Sequence, residues 1–209
     1  MKQGTPEWFS ERCGKITASR IADVMAIGKS SEAASRANYR AELIVQRLTG
    51  ICDEKFTSAA MQHGIENEQF ARAIYEINTG ETVDQIAFVQ HPEIKMSGAS
   101  PDGLIGEDGL VEIKCPNTAT HIDYLIKGKP PTKYQLQMLW QMACTGRKWC
   151  DFVSFDPRLP DELRFFCVRF ELDELRIKEI ERAVAEFDKE IEETINILRS
   201  LKKTPSKSE

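Results

Sequence analysis

Apolar side chains recur along the chain at the spacing of one helix face, three and four residues apart. A glycine stands at or just beyond the end of each such stretch, where a helix commonly stops in a left-handed conformation. The pattern predicts helices over 6–13, from Thr17 or Ala18 to before Gly28, over 33–48 and 58–78, from Thr118 or Thr120 to Lys127, and over 131–145.

The longest apolar repeat lies near the carboxyl terminus and predicts a helix that begins near Asp173. Its stripe indicates a helix lying along the core, and a coiled-coil partner for the same stripe is the alternative. The polar residues 203–209 after it predict a disordered tail. The stripe consists of Ile177, Ile180, Val184, Phe187, Ile191, Ile195 and Leu198.

Other stretches alternate apolar and polar residues with the period of a strand. They predict strands over 82–89, 95–99 and 110–114, and an antiparallel pair over 149–155 and 164–170 that we expect at the sheet edge. Strands interspersed with helices predict an α/β fold with a mixed central sheet flanked by helices.

Composition limits the organisation of the chain to one domain. With 209 residues and 41% hydrophobic residues, we expect a single domain over 1–202. We find neither a charged-then-apolar leader nor an apolar run near eighteen residues, so we expect a cytoplasmic protein without a membrane span. The six cysteines show no Cys-x-x-Cys spacing, and we therefore expect neither a zinc site nor a structural disulfide.

The net charge of −5 does not favour a nucleic-acid partner, but its distribution does not exclude one. Residues 171–193 contain ten Asp and Glu and four Lys and Arg. The acidic excess is therefore confined to the last helix, and the rest of the chain can carry a basic groove.

The segment 100–116 carries the strongest chemical signal. Polar turn residues at 106–109 predict a hairpin that places Asp102 across from Glu112. Two neighbouring carboxylates favour a hard divalent cation such as Mg²⁺, and Lys114 lies on the same strand face as Glu112, placed to hold or deprotonate a water. The alternative is an exposed hairpin with a surface Glu–Lys pair.

A second cluster lies near the amino terminus. Arg12, Thr17 and Ser19 gather at a predicted helix junction, where amide groups, hydroxyls and a guanidinium favour a phosphate. Ordinary helix capping with a solvated arginine is the alternative interpretation.

The motif Pro101-Asp102 followed by Glu112-Ile113-Lys114 matches the PD-(D/E)xK nuclease pattern. With Ser100 in front and Cys115-Pro116 behind, the chain resembles the lambda exonuclease branch of that superfamily, the YqaJ-type viral recombinases. Trp8, Arg12, Gly14 and 16–19 also match, so the resemblance extends from Trp8 to about Pro157.

The resemblance implies roles for individual side chains. It assigns metal binding to Asp102, Glu112, the carbonyl of Ile113 and Glu68. Periodicity alone leaves Glu66 and Glu68 open, although the small neighbours Gly64 and Ala71 favour the face of Glu68. The resemblance also implies that Lys114 and Gln135 orient the attacking water, although the register of the helix that carries Gln135 and Gln137 stays open. It further implies that a terminal 5′-phosphate is bound by Arg12, Thr17, Ser19 and Ser100.

The same resemblance implies a Mg²⁺-dependent double-stranded DNA exonuclease, with Mn²⁺ able to substitute. Such enzymes digest one strand processively from 5′ to 3′, release 5′-phosphomononucleotides and act in phage recombination. The expected partners are duplex DNA ends, a single-strand annealing protein and two further copies in a homotrimeric ring. An endonuclease or repair nuclease of the superfamily is one alternative. A DNA-binding module that no longer cuts is the other, although the presence of Asp102, Glu112 and Lys114 speaks against it.

Overall fold

The computed structural model describes residues 3–29, 31–52 and 59–201, and the side chains of the last range from residue 62 onward. The predicted caps Thr57 and Ser58 and the predicted tail 203–209 lie outside these residues. The helices are α1 Pro6–Arg12, α2 Ile21–Val24, α3 Ala34–Thr49, α4 Ala59–Thr79, α5 Thr118–Lys127, α6 Thr132–Thr145 and α7 Glu174–Leu201. The strands are β1 Ile16–Thr17, β2 Val83–Asp84, β3 Val89–Gln90, β4 Ser97–Ala99, β5 Gly103–Ile105, β6 Gly109–Lys114, β7 Trp149–Phe155 and β8 Phe165–Glu171.

The larger sheet has five strands in the order β2-β5-β6-β7-β8. Strands β6 and β7 run parallel, and the other neighbours run antiparallel. A parallel pair needs a long crossover, and α5 and α6 supply it. The mixed central sheet flanked by helices is therefore confirmed.

A smaller sheet, in the order β1-β4-β3, corrects the prediction of one strand over 82–89. The segment is broken because it changes sheets: β2 pairs with β5, whereas β3 pairs with β4. Between them the Phe88 ring packs so closely on Gly98 that a Cβ there would lie 2.3 Å from Cζ.

The pair β7 and β8 corresponds to the predicted strands, but β7 does not lie at the sheet edge. It pairs with β6 on one side and β8 on the other, and its residues 150–155 are buried. The sequence obscured this because Asp151 looks like an outward polar position. Asp151 is instead buried, accepting hydrogen bonds from Tyr75 Oη and from Arg169.

Apolar side chains pack on both faces of the large sheet. Leu110 and Phe152 face the main cluster with α3, α6 and α7, whereas Val111 and Ile113 face α4. The stripe of α7 is buried against this same chain through Ile195, as the core interpretation predicts, and Leu198 is 40% exposed.

Two further differences lie near the amino terminus. The helix predicted after Thr17 is a 3₁₀ turn, Ala18–Arg20, followed by the single turn α2, which ends at Val24. Cys13 and Cys52 form a disulfide, so the expectation of no structural disulfide is wrong. The pairing depends on the close approach of α1 and α3, which the sequence does not show; there Arg47 Nε donates to the carbonyl of Gly14 at 2.8 Å.

No helix in the part of the chain that the structure describes is long and apolar enough to cross a membrane.

Candidate active site

Asp102 and Glu112 meet across the hairpin of β5 and β6, as predicted. Gly103 pairs with Val111, which places the preceding Asp102 opposite the following Glu112. The Asp102 carboxylate accepts a hydrogen bond from the amide of Ile113 at 2.7 Å. A side chain at Gly103 would collide with Val83, since its Cβ would lie 2.1 Å from Cγ1. Glycine therefore allows β2 to pack against the strand that carries Asp102.

The Glu112 carboxylate is buried and surrounded by donors. Its Oε1 accepts from Gln137 Nε2 at 2.6 Å and forms an ion pair with Lys114, and its Oε2 accepts from Gln141 Nε2 at 2.5 Å. Buried charges persist when they are paired and hydrogen-bonded. Glu112 is thus fixed in one orientation by groups from β6 and α6.

The structure places Gln137 and Gln141 at Glu112, and it does not place Gln135 there. Residues four apart on a helix share a face, whereas Gln135 lies about 200° around α6 from Gln137. Its Nε2 donates to the carbonyl of Pro130 at 2.8 Å. Sequence reasoning missed Gln141, although two glutamines four apart within the buried segment 136–142 are a recognisable signal.

The electrostatics of the hairpin favour an added cation. Burial raises the pKa of Asp102 well above its usual value, the charges of Glu112 and Glu68 raise it further, and Lys114 opposes the shift. Burial lowers the pKa of Lys114, but Glu112 and Asp102 outweigh that effect and raise it. One ammonium therefore serves two neighbouring carboxylates.

Helix α4 turns Glu68, and not Glu66, toward this hairpin. Glu66 is exposed and accepts from Gln62 at 2.7 Å. Glu68 shares its side of the helix with buried Ala71, and its charge contributes to the raised pKa of Asp102. Its carboxylate pairs with Arg72 at 2.6 Å. Glu68 is therefore near Asp102 but engaged by an arginine.

The donor set agrees with a hard divalent cation. Among the described residues, no three His, Cys, Asp or Glu side chains are arranged as a metal site. Mg²⁺ usually needs only one or two carboxylates, because it retains waters and binds substrate phosphate. Asp102, Glu112 and the backbone oxygen of Ile113 provide hard oxygen donors at one end of the hairpin.

A second polar group adjoins the hairpin two residues before Asp102. Ser100 Oγ accepts from Arg12 Nη1 at 2.9 Å and from Trp8 Nε1 at 3.0 Å, and the guanidinium stacks on the Trp8 ring at 4.1 Å. Burial lowers the pKa of Arg12 to about 10, with a small opposing contribution from Tyr39. No carboxylate in the described ranges pairs with Arg12, so this charge is suited to an anion.

Thr17 and Ser19 form a second pair of hydroxyls beside Tyr39. Their hydroxyls lie 3.5 Å apart, and the amide of Thr17 donates to Tyr39 Oη at 3.1 Å. Thr17 is buried, whereas Ser19 is exposed. Arg12 thus bonds directly to Ser100. Its link to Thr17 is indirect, because both residues interact with Tyr39.

The segment after Lys114 is tied to the end of β7. Arg158 donates from Nε to buried Asp156 at 2.6 Å and from Nη2 to the carbonyl of Pro116 at 3.0 Å. Burial raises the pKa of Asp156, but bonds from Arg158 and Thr118 outweigh it and lower the pKa to about 2. This contact fixes the chain two residues beyond Lys114.

With this geometry established, comparisons identify related proteins. The sequence model of a protein family, the YqaJ-like viral recombinase domain, matches residues 7–148. A crystal structure of an alkaline exonuclease from Laribacter hongkongensis is 55% identical, covers 94% of this chain and 97% of its own, and superposes with a TM-score of 0.88. The same enzyme in complex with dAMP superposes with a TM-score of 0.89.

A more distant structure shows only the fold. It is a phage-related exonuclease from Haemophilus somnus 129PT, 17% identical, which covers 88% of this chain and 96% of its own with a TM-score of 0.71. No curated protein matches the sequence.

Proposed function

The chain belongs to the YqaJ-like viral recombinase family, and from this membership and the site geometry we propose that it is a metal-dependent exonuclease that digests one strand of duplex DNA from 5′ to 3′. The observation that carries the proposal is the pairing of Asp102 with Glu112 beside Lys114. The 55% identical alkaline exonuclease supports the exonuclease class.

The metal is proposed to be Mg²⁺, with Mn²⁺ able to substitute. The metal would be held by Asp102, Glu112 and the carbonyl of Ile113. Glu68 would become a further ligand once its ion pair with Arg72 is broken. When bound, a divalent cation polarises the scissile phosphate and lowers the pKa of a water. Gln137 and Gln141 fix the Glu112 carboxylate for this role.

Lys114 supplies the positive charge that orients the attacking water and offsets charge developing on the phosphate. Its ammonium is held between Glu112 and the ring of Tyr134, whose centroid lies 5.3 Å away. Gln135 is not proposed as a partner for this water, because its amide bonds to Pro130.

The 5′-to-3′ direction is proposed from the position of Arg12. A terminal 5′-phosphate would bind Arg12 and Ser100, with Thr17 and its neighbour Ser19 as further contacts. The next phosphodiester would then lie at Asp102, two residues beyond Ser100. The product would be a 5′-phosphomononucleotide. The dAMP complex of the Laribacter enzyme supports a product of that class.

The proposed setting is phage-type recombination in the cytoplasm of a bacterial host. The partners would be a single-strand annealing protein that coats the exposed strand and two further copies of this chain in a ring around the duplex. Both partners are carried over from the resemblance of this chain to lambda-type exonucleases.

One set of digests tests the proposal. Linear duplex with a 5′-phosphate, linear duplex with a 5′-hydroxyl and closed circular DNA are each incubated with Mg²⁺ or EDTA. We expect mononucleotides from linear DNA in Mg²⁺, fastest with the 5′-phosphate, and intact circles. Cutting of circles would favour the endonuclease alternative, and activity in EDTA would exclude the metal mechanism.

A further inference from the structure

The connection between α5 and α6 is basic in a chain whose net charge is −5. Residues 127–133, named the lysine loop below, contain Lys127, Lys129 and Lys133 and no Asp or Glu. Lys127 pairs with Asp123 at 2.7 Å. Lys129 and Lys133 are exposed, and neither pairs with a carboxylate in the part of the chain that the structure describes. Two cations are therefore available to a ligand.

The lysine loop is held in place by hydrogen bonds at both ends. The amide of Gly128 donates to Tyr124 at 2.9 Å, and Gln135 Nε2 donates to the carbonyl of the buried Pro130 at 2.8 Å. The amides of Tyr134 and Gln135 donate to Pro131 at 2.9 and 3.1 Å. A loop fixed in this way loses little conformational entropy when it binds.

Tyr134 connects the lysine loop to the candidate active site. Its ring centroid lies 5.3 Å from the ammonium of Lys114 and 4.6 Å from that of Lys133. A ring that faces two ammonium groups holds both by cation–π attraction. Lys133 and Lys114 thus contact the same aromatic ring.

The lysine loop and Arg12 are anchored on opposite sides of strand β6. Arg12 binds Ser100 in the segment leading to β5, whereas Tyr134 packs on Phe152 of β7 at 5.5 Å between ring centroids. Strand β6, with Glu112 and Lys114, lies between β5 and β7. The cationic groups therefore follow one direction across the sheet: Arg12, then Lys114, then Lys133.

We propose that Lys129 and Lys133 bind the phosphodiesters on the 3′ side of the scissile bond in the strand being digested. This inference rests on the proposed function, because it takes the phosphate end of that strand to lie at Arg12. Gln135 is a positioning residue, because its hydrogen bond to Pro130 holds the lysine loop in place. The recognised chemistry is the repeating phosphate of the backbone, so binding is independent of base sequence.

Counterion release gives this proposal a measurable signature. Each phosphate contact to B-DNA contributes about 0.9 to the slope of log K against log salt. The double variant K129Q/K133Q should therefore show a slope shallower by about 2 than wild type. Duplex affinity at moderate salt should fall by roughly tenfold, with a larger loss in kcat/KM than in kcat.

The matched control removes the same charge elsewhere. The variant K178Q/K189Q changes two exposed lysines of α7. Lys178 is far from the lysine loop. It is close in sequence to Glu181, whose charge acts on Cys144 near the end of α6. Cys144 lies eleven residues along α6 from Lys133, which corresponds to about 16 Å. This variant should keep the wild-type slope. Equal slopes in wild type and K129Q/K133Q, or equal loss in both double variants, would overturn the proposal.

A third variant tests the hold on the loop. Q135M keeps the length of the side chain but cannot donate to Pro130, so affinity should fall while both lysines remain. Binding is measured in EDTA on uncut duplex. Failure of the wild type to digest linear DNA in Mg²⁺ would refute the proposed function, whereas an unchanged slope with intact wild-type digestion would refute only the role of the lysine loop.

Discussion

The side-chain amide of Gln137 donates to Oε1 of Glu112 at 2.6 Å, the oxygen that also pairs with Lys114. This relationship ties α6 to the hairpin of β5 and β6. One turn later Gln141 holds the other oxygen of the same carboxylate. Two helical amides and one strand ammonium thus determine where Glu112 points.

The first prediction separates these glutamines from Gln135. Gln137→Met and Gln141→Met should each lower kcat at least tenfold, because a hydrogen bond to a charged group is worth roughly 1.5–3 kcal/mol. Gln135→Met should lose much less kcat and act mainly on DNA affinity. Single-turnover rates at saturating DNA measure the contrast, with thermal melting to verify folding. Equal losses of kcat in all three variants would contradict the assigned geometry.

Whether the sequence predicted a contact in this site depends on how far apart along the chain the two residues lie. The register of Asp102 and Glu112 was predictable because a short turn fixes a hairpin locally. The partners of Glu112 on α6 were only partly predictable, since helical register decides whether Gln135 or Gln137 faces the sheet, and the resemblance left that register open. The disulfide of Cys13 and Cys52 likewise depends on the packing of α1 against α3.

A second prediction concerns Lys114 and the metal. Lys114→Ala should abolish cleavage while duplex binding in EDTA stays near the wild-type value, because the ammonium acts on the water and the reacting phosphate. Ca²⁺ in place of Mg²⁺ should support binding but little hydrolysis, since its looser coordination aligns water and phosphate less well. Near-normal turnover of the variant, or rapid digestion in Ca²⁺, would remove the basis for the mechanism.

The third prediction tests the 5′-phosphate site. Arg12→Ala should slow digestion of 5′-phosphorylated ends by roughly ten- to hundredfold, because a charge-assisted hydrogen bond is lost only where the phosphate exists. Digestion of 5′-hydroxyl ends should change little. The matched control is Arg176→Ala on the exposed surface of α7. Equal slowing on both kinds of end would make Arg12 a structural residue, one that holds Trp8 and Ser100 in place.

The fourth prediction concerns stability at acid pH. The pKa of Asp156 falls to about 2 in the folded protein, although burial raises it, because Arg158 and Thr118 donate to the carboxylate. A lowered folded pKa contributes stability above the unfolded value near 3.9, and that contribution is lost as pH falls toward 2. It amounts to about 3 kcal/mol at neutral pH.

Asp156→Asn should therefore lower the free energy of unfolding at pH 7, and the difference from wild type should shrink between pH 5 and pH 2. Urea titrations across this range measure it. Asp161→Asn is the control, because that carboxylate is 85% exposed beside Arg164 and should change stability little at any pH. A deficit for Asp156→Asn that is constant with pH would show that packing, and not charge, is responsible.

The last prediction concerns assembly. A protomer of 23.7 kDa with a net charge of −5 offers little surface and no overall attraction to retain a duplex through many successive cuts. A closed ring retains DNA topologically, and identical head-to-tail interfaces close a ring without a free end. We expect sedimentation in moderate salt to give about three times the protomer mass. The acids of α7 belong on the outside, since Glu190 and Asp188 are already paired with Arg36 and Arg47 of the same chain. A monomer that digests long DNA without dissociating would exclude the ring and leave the assignment of Asp102, Glu112 and Lys114 unaffected.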